Sequence, residues 1–136
     1  MNIKSVRGTI TRDMLKITAT HEHVLLDLTA FDQALPVPGV DNPETQKVEM
    51  QYLGVLSRDW YALRDNLLLD DANLAKNELM FFKNAGGSTV VDASLPGIGR
   101  NPAALRQISE ETGLNIIMGT GFYVGETHPK DLSSMS

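Results

Sequence analysis

The sequence predicts an α/β fold built on a parallel sheet. Three observations carry that prediction. A β-branched stretch, Ile17-Thr18-Ala19-Thr20, runs into His21-Glu22-His23 and suits a strand. Two later segments repeat the same helix-then-strand order. Their strands start near residues 88 and 115, a spacing of 27 residues, which fits a βα repeat with a right-handed crossover.

Each element has a local reason. Residues 3–12 read as a small hairpin, with Ile3 to Val6 and Thr9-Ile10-Thr11 on either side of a turn at Gly8. The first strand of the sheet is expected over about 16–22. A long insertion follows over 27–70, where Pro36, Pro38, Gly39, Asn42 and Pro43 mark an irregular loop. Within it, Glu44 to Leu56 and Arg58 to Leu68 are expected to be partly helical, because Leu53, Leu56, Trp60, Leu63 and Leu67 recur at spacings of three and four. A helix over about 71–85 starts at Asp70 or Asp71, whose carboxylate can accept the orphan N–H groups. Ala75, Leu79 and Phe82 share its inner face, and Gly86-Gly87 stops it. Strand two takes about 88–92. Asn101 then caps a helix over about 102–112, with Pro102 at its first turn and Leu105, Ile108 and Thr112 on one face. Gly113 ends that helix, and strand three takes about 115–120.

Composition narrows the function. Of 136 residues, 12 are Lys or Arg and 17 are Asp or Glu, a net charge of −5. A nucleic-acid partner is therefore not expected. The absence of Cys removes disulfides and thiolate metal sites. Apolar residues at 42% and charged ones at 21% match an ordinary globular chain. No signal-like apolar region opens the sequence and no run approaches the ~20 residues of a membrane span, so a soluble, cytoplasmic protein without a membrane partner is expected. The length suits one domain, yet a complete (β/α)₈ barrel needs at least about 200 residues.

Ligands in parallel α/β folds bind at the carboxyl ends of the strands. The polar groups expected there are His21 and His23, then Asp92 and Ser94, then Thr120 to Tyr123. Side chains two apart on a strand share a face, so two neutral imidazoles could hold one metal ion. Surface or hydrogen-bonded core histidines are the plain alternative. Gly97-Ile98-Gly99-Arg100-Asn101 could hold an anion at a helix start, but glycine and N-cap chemistry already account for a tight turn there. Asp92 is expected to accept loop N–H groups as a buried strand-end carboxylate. Phe122 and Tyr123 either line a pocket or simply pack. Metal-assisted hydrolysis is the one catalytic chemistry these residues suggest.

Several segments together resemble a known family. Val6-Arg7-Gly8-Thr9-Ile10 and Thr18-Ala19-Thr20-His21-Glu22-His23 look like the opening of the phosphotriesterase family of the amidohydrolase superfamily. Asp65-Asn66-Leu67, Val90-Val91-Asp92, Gly97 to Pro102 and Thr112 to Tyr123 also match, in order over nearly the whole chain. The likeness is greatest to the phosphotriesterase-related and lactonase-like branch. It implies a TIM barrel, (β/α)₈, with a binuclear centre of divalent metal, commonly zinc. His21 and His23 would be first-strand ligands, and a hydroxide held by the metals would attack a phosphotriester, lactone or related ester. Tyr123 matches an aromatic substrate-pocket position. The family draws its remaining ligands from strands four, five, six and eight: a bridging, usually carbamylated lysine, two histidines and an aspartate. Here the sequence stops at Ser136, after strand three; Lys130 comes too early and His128 holds no ligand position.

The expectation is thus a truncated barrel of three βα units with part of a metal site, inactive alone. Three strands leave two unpaired sheet edges that invite self-association. The alternatives are a shortened, non-catalytic binding or interaction protein, and an independent small domain that binds an anion at Asn101-Pro102.

Overall fold

A computed structural model describes residues 2–32 and 37–135; Pro36, expected in the irregular loop, lies outside the described residues. The chain opens with an antiparallel hairpin of β1 (Asn2–Ser5) and β2 (Gly8–Thr11), in which Ser5 faces Gly8. The connecting pair is therefore Val6-Arg7, one step before the expected turn. Gly8 instead begins the return strand at φ +127°, which a side chain would resist.

β3 (Thr18–Glu22) starts the parallel sheet, and β4 (Leu26–Asp27) leaves its carboxyl end. The insertion follows; among its described residues the one α-helix is the short α1 (Leu53–Leu56), and β5 (Leu68–Leu69) comes after it. The repeat comes next: α2 (Ala72–Asn84), β6 (Thr89–Asp92), α3 (Pro102–Thr112) and β7 (Asn115–Met118). β6 lies between β3 and β7 and pairs parallel with both. This is the expected β-α-β-α-β order.

Capping sets the helix boundaries. The Asp71 carboxylate accepts the N–H groups of Asn73 (2.8 Å) and Leu74 (3.0 Å), and Asn101 Oδ1 accepts that of Ala104 (3.1 Å). These bonds satisfy donors that have no partner inside the helix. Gly113 closes α3 at φ +72°, in the left-handed region. Val90, Leu105, Ile108, Leu114 and Ile116 form the buried core with Val24 and Leu25, and Ala75, Leu79 and Phe82 pack against it. Burying each of the larger aliphatic side chains contributes about 1.5–3 kcal/mol.

The insertion departs from the helical expectation. Within 44–68 only Leu53–Leu56 is α-helical; Met50–Tyr52 and Arg64–Leu67 are single 3₁₀ turns. Leu63 and Leu67 are fully buried, whereas Leu53 is 48% and Trp60 43% exposed, so the apolar spacing never makes one helical face. Polar bonds add to the burial of Leu63 and Leu67 in holding the segment. Asp65 takes both the Lys47 ammonium and the Val48 N–H, and Arg64 pairs with Asp32 at 3.2 Å. β4 and β5 pair antiparallel, Leu26 with Leu69 and Asp27 with Leu68, and tie the two ends of the insertion together.

The hairpin closes the amino end of the sheet. The Val6 N–H donates to the Ile116 carbonyl (2.9 Å), and the Arg7 guanidinium to the Leu114 carbonyl (3.3 Å).

Candidate metal site at the carboxyl end of the sheet

The two histidines come together where the spacing places them. His21 is the fourth residue of β3 and His23 follows the strand directly. Their ring centres are 5.6 Å apart, edge to face at 76°. The β3–β6 register carries an irregularity here: Ala19 faces Val90, and the next pair is Glu22 with Asp92. One extra residue on β3 makes a bulge, a device that re-aims side chains at strand ends.

His23 is held from β6. Its Nδ1 lies 3.0 Å from the Ser94 hydroxyl oxygen. That hydroxyl donates to the Leu25 carbonyl at 2.7 Å, and the Ser94 N–H donates to Asp92 Oδ1 at 3.0 Å. The other Asp92 oxygen accepts the Val24 N–H at 2.9 Å. Three consecutive residues, His23, Val24 and Leu25, are thus each bonded to the Asp92–Ser94 pair. Asp92 is fully buried. Burial pushes its pKa above the ordinary carboxylate value, while the N–H groups of Val24 and Ser94 pull the other way. Sequence reasoning placed Ser94 at this end of the sheet but missed its bond to His23, because nothing local links residues 71 apart.

The donor set fits a divalent metal in part. Imidazole nitrogens sit about 2.0–2.1 Å from zinc, which separates two ring centres by about 5 Å at a tetrahedral angle. The observed spacing is close to that. Two neutral imidazoles suit zinc and its neighbours, but the described residues contain no cluster of three or more His, Cys, Asp or Glu that could complete a site. His128 stands apart, with its Nε2 3.3 Å from the Tyr123 carbonyl and its ring against Phe122.

Tyr123 joins an aromatic group and makes no ring contact with either histidine among the described residues. Its ring meets Phe31 edge-on at 6.3 Å; Phe31 lies 6.3 Å from Tyr61, and Tyr61 is stacked on Trp60 at 3.7 Å. The glycine turn before α3 has a packing cause. A Cβ on Gly99 would lie 2.5 Å from the Asp27 backbone nitrogen, and one on Gly97 2.4 Å from the Thr127 carbonyl oxygen.

A comparison with protein-family models matches the Phosphotriesterase family over residues 1–136. The chain belongs to the phosphotriesterase family. Curated relatives include the N-acetyltaurine hydrolases of Danio rerio, 36% identical over 135 residues, and of Homo sapiens, 34% identical over 137. Each alignment covers 98% of this chain and 38% of the relative, so the chain spans well under half of their length. Among solved structures, a resiniferatoxin-binding protein from Rhodobacter sphaeroides matches with a TM-score of 0.89 and 32% identity, covering 99% of this chain and 38% of that one. An organophosphorus hydrolase from Deinococcus radiodurans matches at 0.54 and 30%, covering 90% and 29%. The three parallel strands and their helices are the first βα units of this family's TIM barrel. No helix among the described residues is long and apolar enough to cross a membrane.

Proposed function

We propose that this chain carries the first-strand ligand pair, His21 and His23, of a metal-dependent hydrolase. The substrate class is a small molecule with a phosphotriester, lactone, ester or N-acyl bond; the N-acyl member enters through the relatives named N-acetyltaurine hydrolase. The observation that carries this reading is the close approach of the two imidazoles at the carboxyl end of β3. A divalent metal, zinc by donor type, would acidify water and polarise the bond to be cleaved. His21 and His23 supply two nitrogen donors. Asp92 and Ser94 fix the backbone on which His23 is mounted. Tyr123, with Phe31 and Tyr61, offers an aromatic wall for the apolar part of a substrate.

Zinc titration calorimetry on the 136-residue chain, with His21→Ala and His23→Ala beside it, tests the reading. Weak binding that both substitutions abolish is expected, with no enzyme-like turnover of N-acetyltaurine, a lactone or paraoxon, because catalytic zinc needs three protein ligands. Unchanged zinc affinity in the double variant overturns the ligand pair.

A second reading rests on the sheet edge. Among the described residues β3 pairs on one side only. An open groove of about 860 Å³, lined by Ala19, His23, Val24, Leu79 and Phe82, runs beside it. A second copy seated there would make the chain a non-catalytic interaction protein. Light scattering that finds a defined oligomer favours this reading, and a stable monomer removes it.

A further inference from the structure

We infer that Ser94 is a positioning residue that selects the tautomer of His23. The Ser94 oxygen carries one proton; it meets the Leu25 carbonyl at 2.7 Å and His23 Nδ1 at 3.0 Å, with the Asp92 carboxylate beside it as a further acceptor. The Leu25 carbonyl only accepts, and both Asp92 oxygens already serve as acceptors, for the Val24 and Ser94 N–H groups. The hydroxyl proton therefore goes to Leu25, and His23 must supply the other proton from Nδ1. Nε2 is left with its lone pair, free to act as a donor. Turning the hydroxyl hydrogen toward His23 would leave the Ser94 oxygen and the Leu25 carbonyl facing each other as two acceptors at 2.7 Å, in a site where Ser94, 1% exposed, has little solvent to replace the lost bond. The Val24 N–H on the second Asp92 oxygen fixes the chain beside the ring. A ligand histidine is commonly oriented by such a bond from its other nitrogen. The metal half of this inference rests on reading His23 as a ligand; the tautomer half does not.

Two measurements keep those halves apart. Long-range ¹⁵N NMR of the histidines in the metal-free 136-residue chain, well above the usual imidazole pKa, reports the tautomer. His23→Ala assigns the signal. The expected result is a protonated Nδ1 and an unprotonated Nε2 at His23, mixed tautomers in Ser94→Ala, and recovery in Ser94→Thr. A protonated Nε2 in the unsubstituted chain overturns the inference without any variant having to fold. So does Ser94→Ala with its tautomer unchanged. Calorimetry with zinc chloride supplies the second readout. Ser94→Ala is expected to weaken binding by about 10–100-fold. Zinc that fails to bind the unsubstituted chain overturns the ligand reading, and the NMR result still decides the tautomer.

Discussion

The βα repeat and the insertion occupy similar lengths of chain but are held together differently. From α2 to β7, apolar faces meet: Val90, Leu114 and Ile116 are fully buried and both helices pack on them. The insertion exposes Met50 (82%), Leu53 and Trp60, buries only scattered apolar side chains such as Leu63 and Leu67, and adds a two-residue β4–β5 pair and a few polar bonds. The repeat holds the Asp92–Ser94 pair; the insertion contributes Tyr61 to the aromatic group around Tyr123. His23 is therefore held by the repeat, and the wall beside Tyr123 is built in part by the insertion.

Substitutions can break or sharpen this contrast. The largest effect is expected from Ile116→Ala, a loss of about 2–5 kcal/mol from transfer and cavity terms. Met50→Ala should stay within about 0.5 kcal/mol. Urea denaturation followed by circular dichroism compares the two, and equal losses would erase the distinction. Gly99→Ala comes next. At φ +87° and against the Asp27 backbone, it is expected to cost about 1–3 kcal/mol. The strain falls on the joint between the regions, so hydrogen exchange should quicken first at the Asp27 N–H, which donates to the Ile98 carbonyl. Asp71→Ala, which removes the α2 cap, is expected to cost about 1 kcal/mol, read as a lower urea midpoint with an unchanged slope.

The smallest effect concerns pH. The hydrogen bond from Lys47, followed by the Val48 N–H, holds the Asp65 pKa below its ordinary value. Its contribution to stability is present above the ordinary carboxylate pKa and is lost as pH falls through the lowered one. The pair is exposed, which keeps the contribution small. Trp60, the one tryptophan, reports on this region. Its fluorescence transition should shift on acidification in the unsubstituted chain and lose that shift in Asp65→Asn.

How much of this was legible in sequence depends on the range of the interaction. Asp71, Asn101-Pro102 and Gly113 bracket their helices by bonds within a few residues, so both helices were predicted almost to their ends. His21 and His23 were legible as a pair because strand geometry is also local. The insertion was misread because Leu63 and Leu67 are buried by contacts that are not helical, and spacing alone cannot separate burial from helicity. The β4–β5 pairing joins residues on either side of the insertion with two residues a side, too short to show a pattern. The bonds around Ser94 were invisible for the same reason of distance.

The Asp92–Ser94 pair bears on how portable this site is. His-x-His looks like a self-contained cassette that could be grafted onto any exposed strand. In this molecule its second imidazole, and the backbone that carries it, are anchored by residues 68 to 71 positions downstream. The transferable module is a pair of neighbouring strand ends, His21 to Leu25 with Asp92 to Ser94. A graft that moves the histidines alone leaves the second ring free to turn.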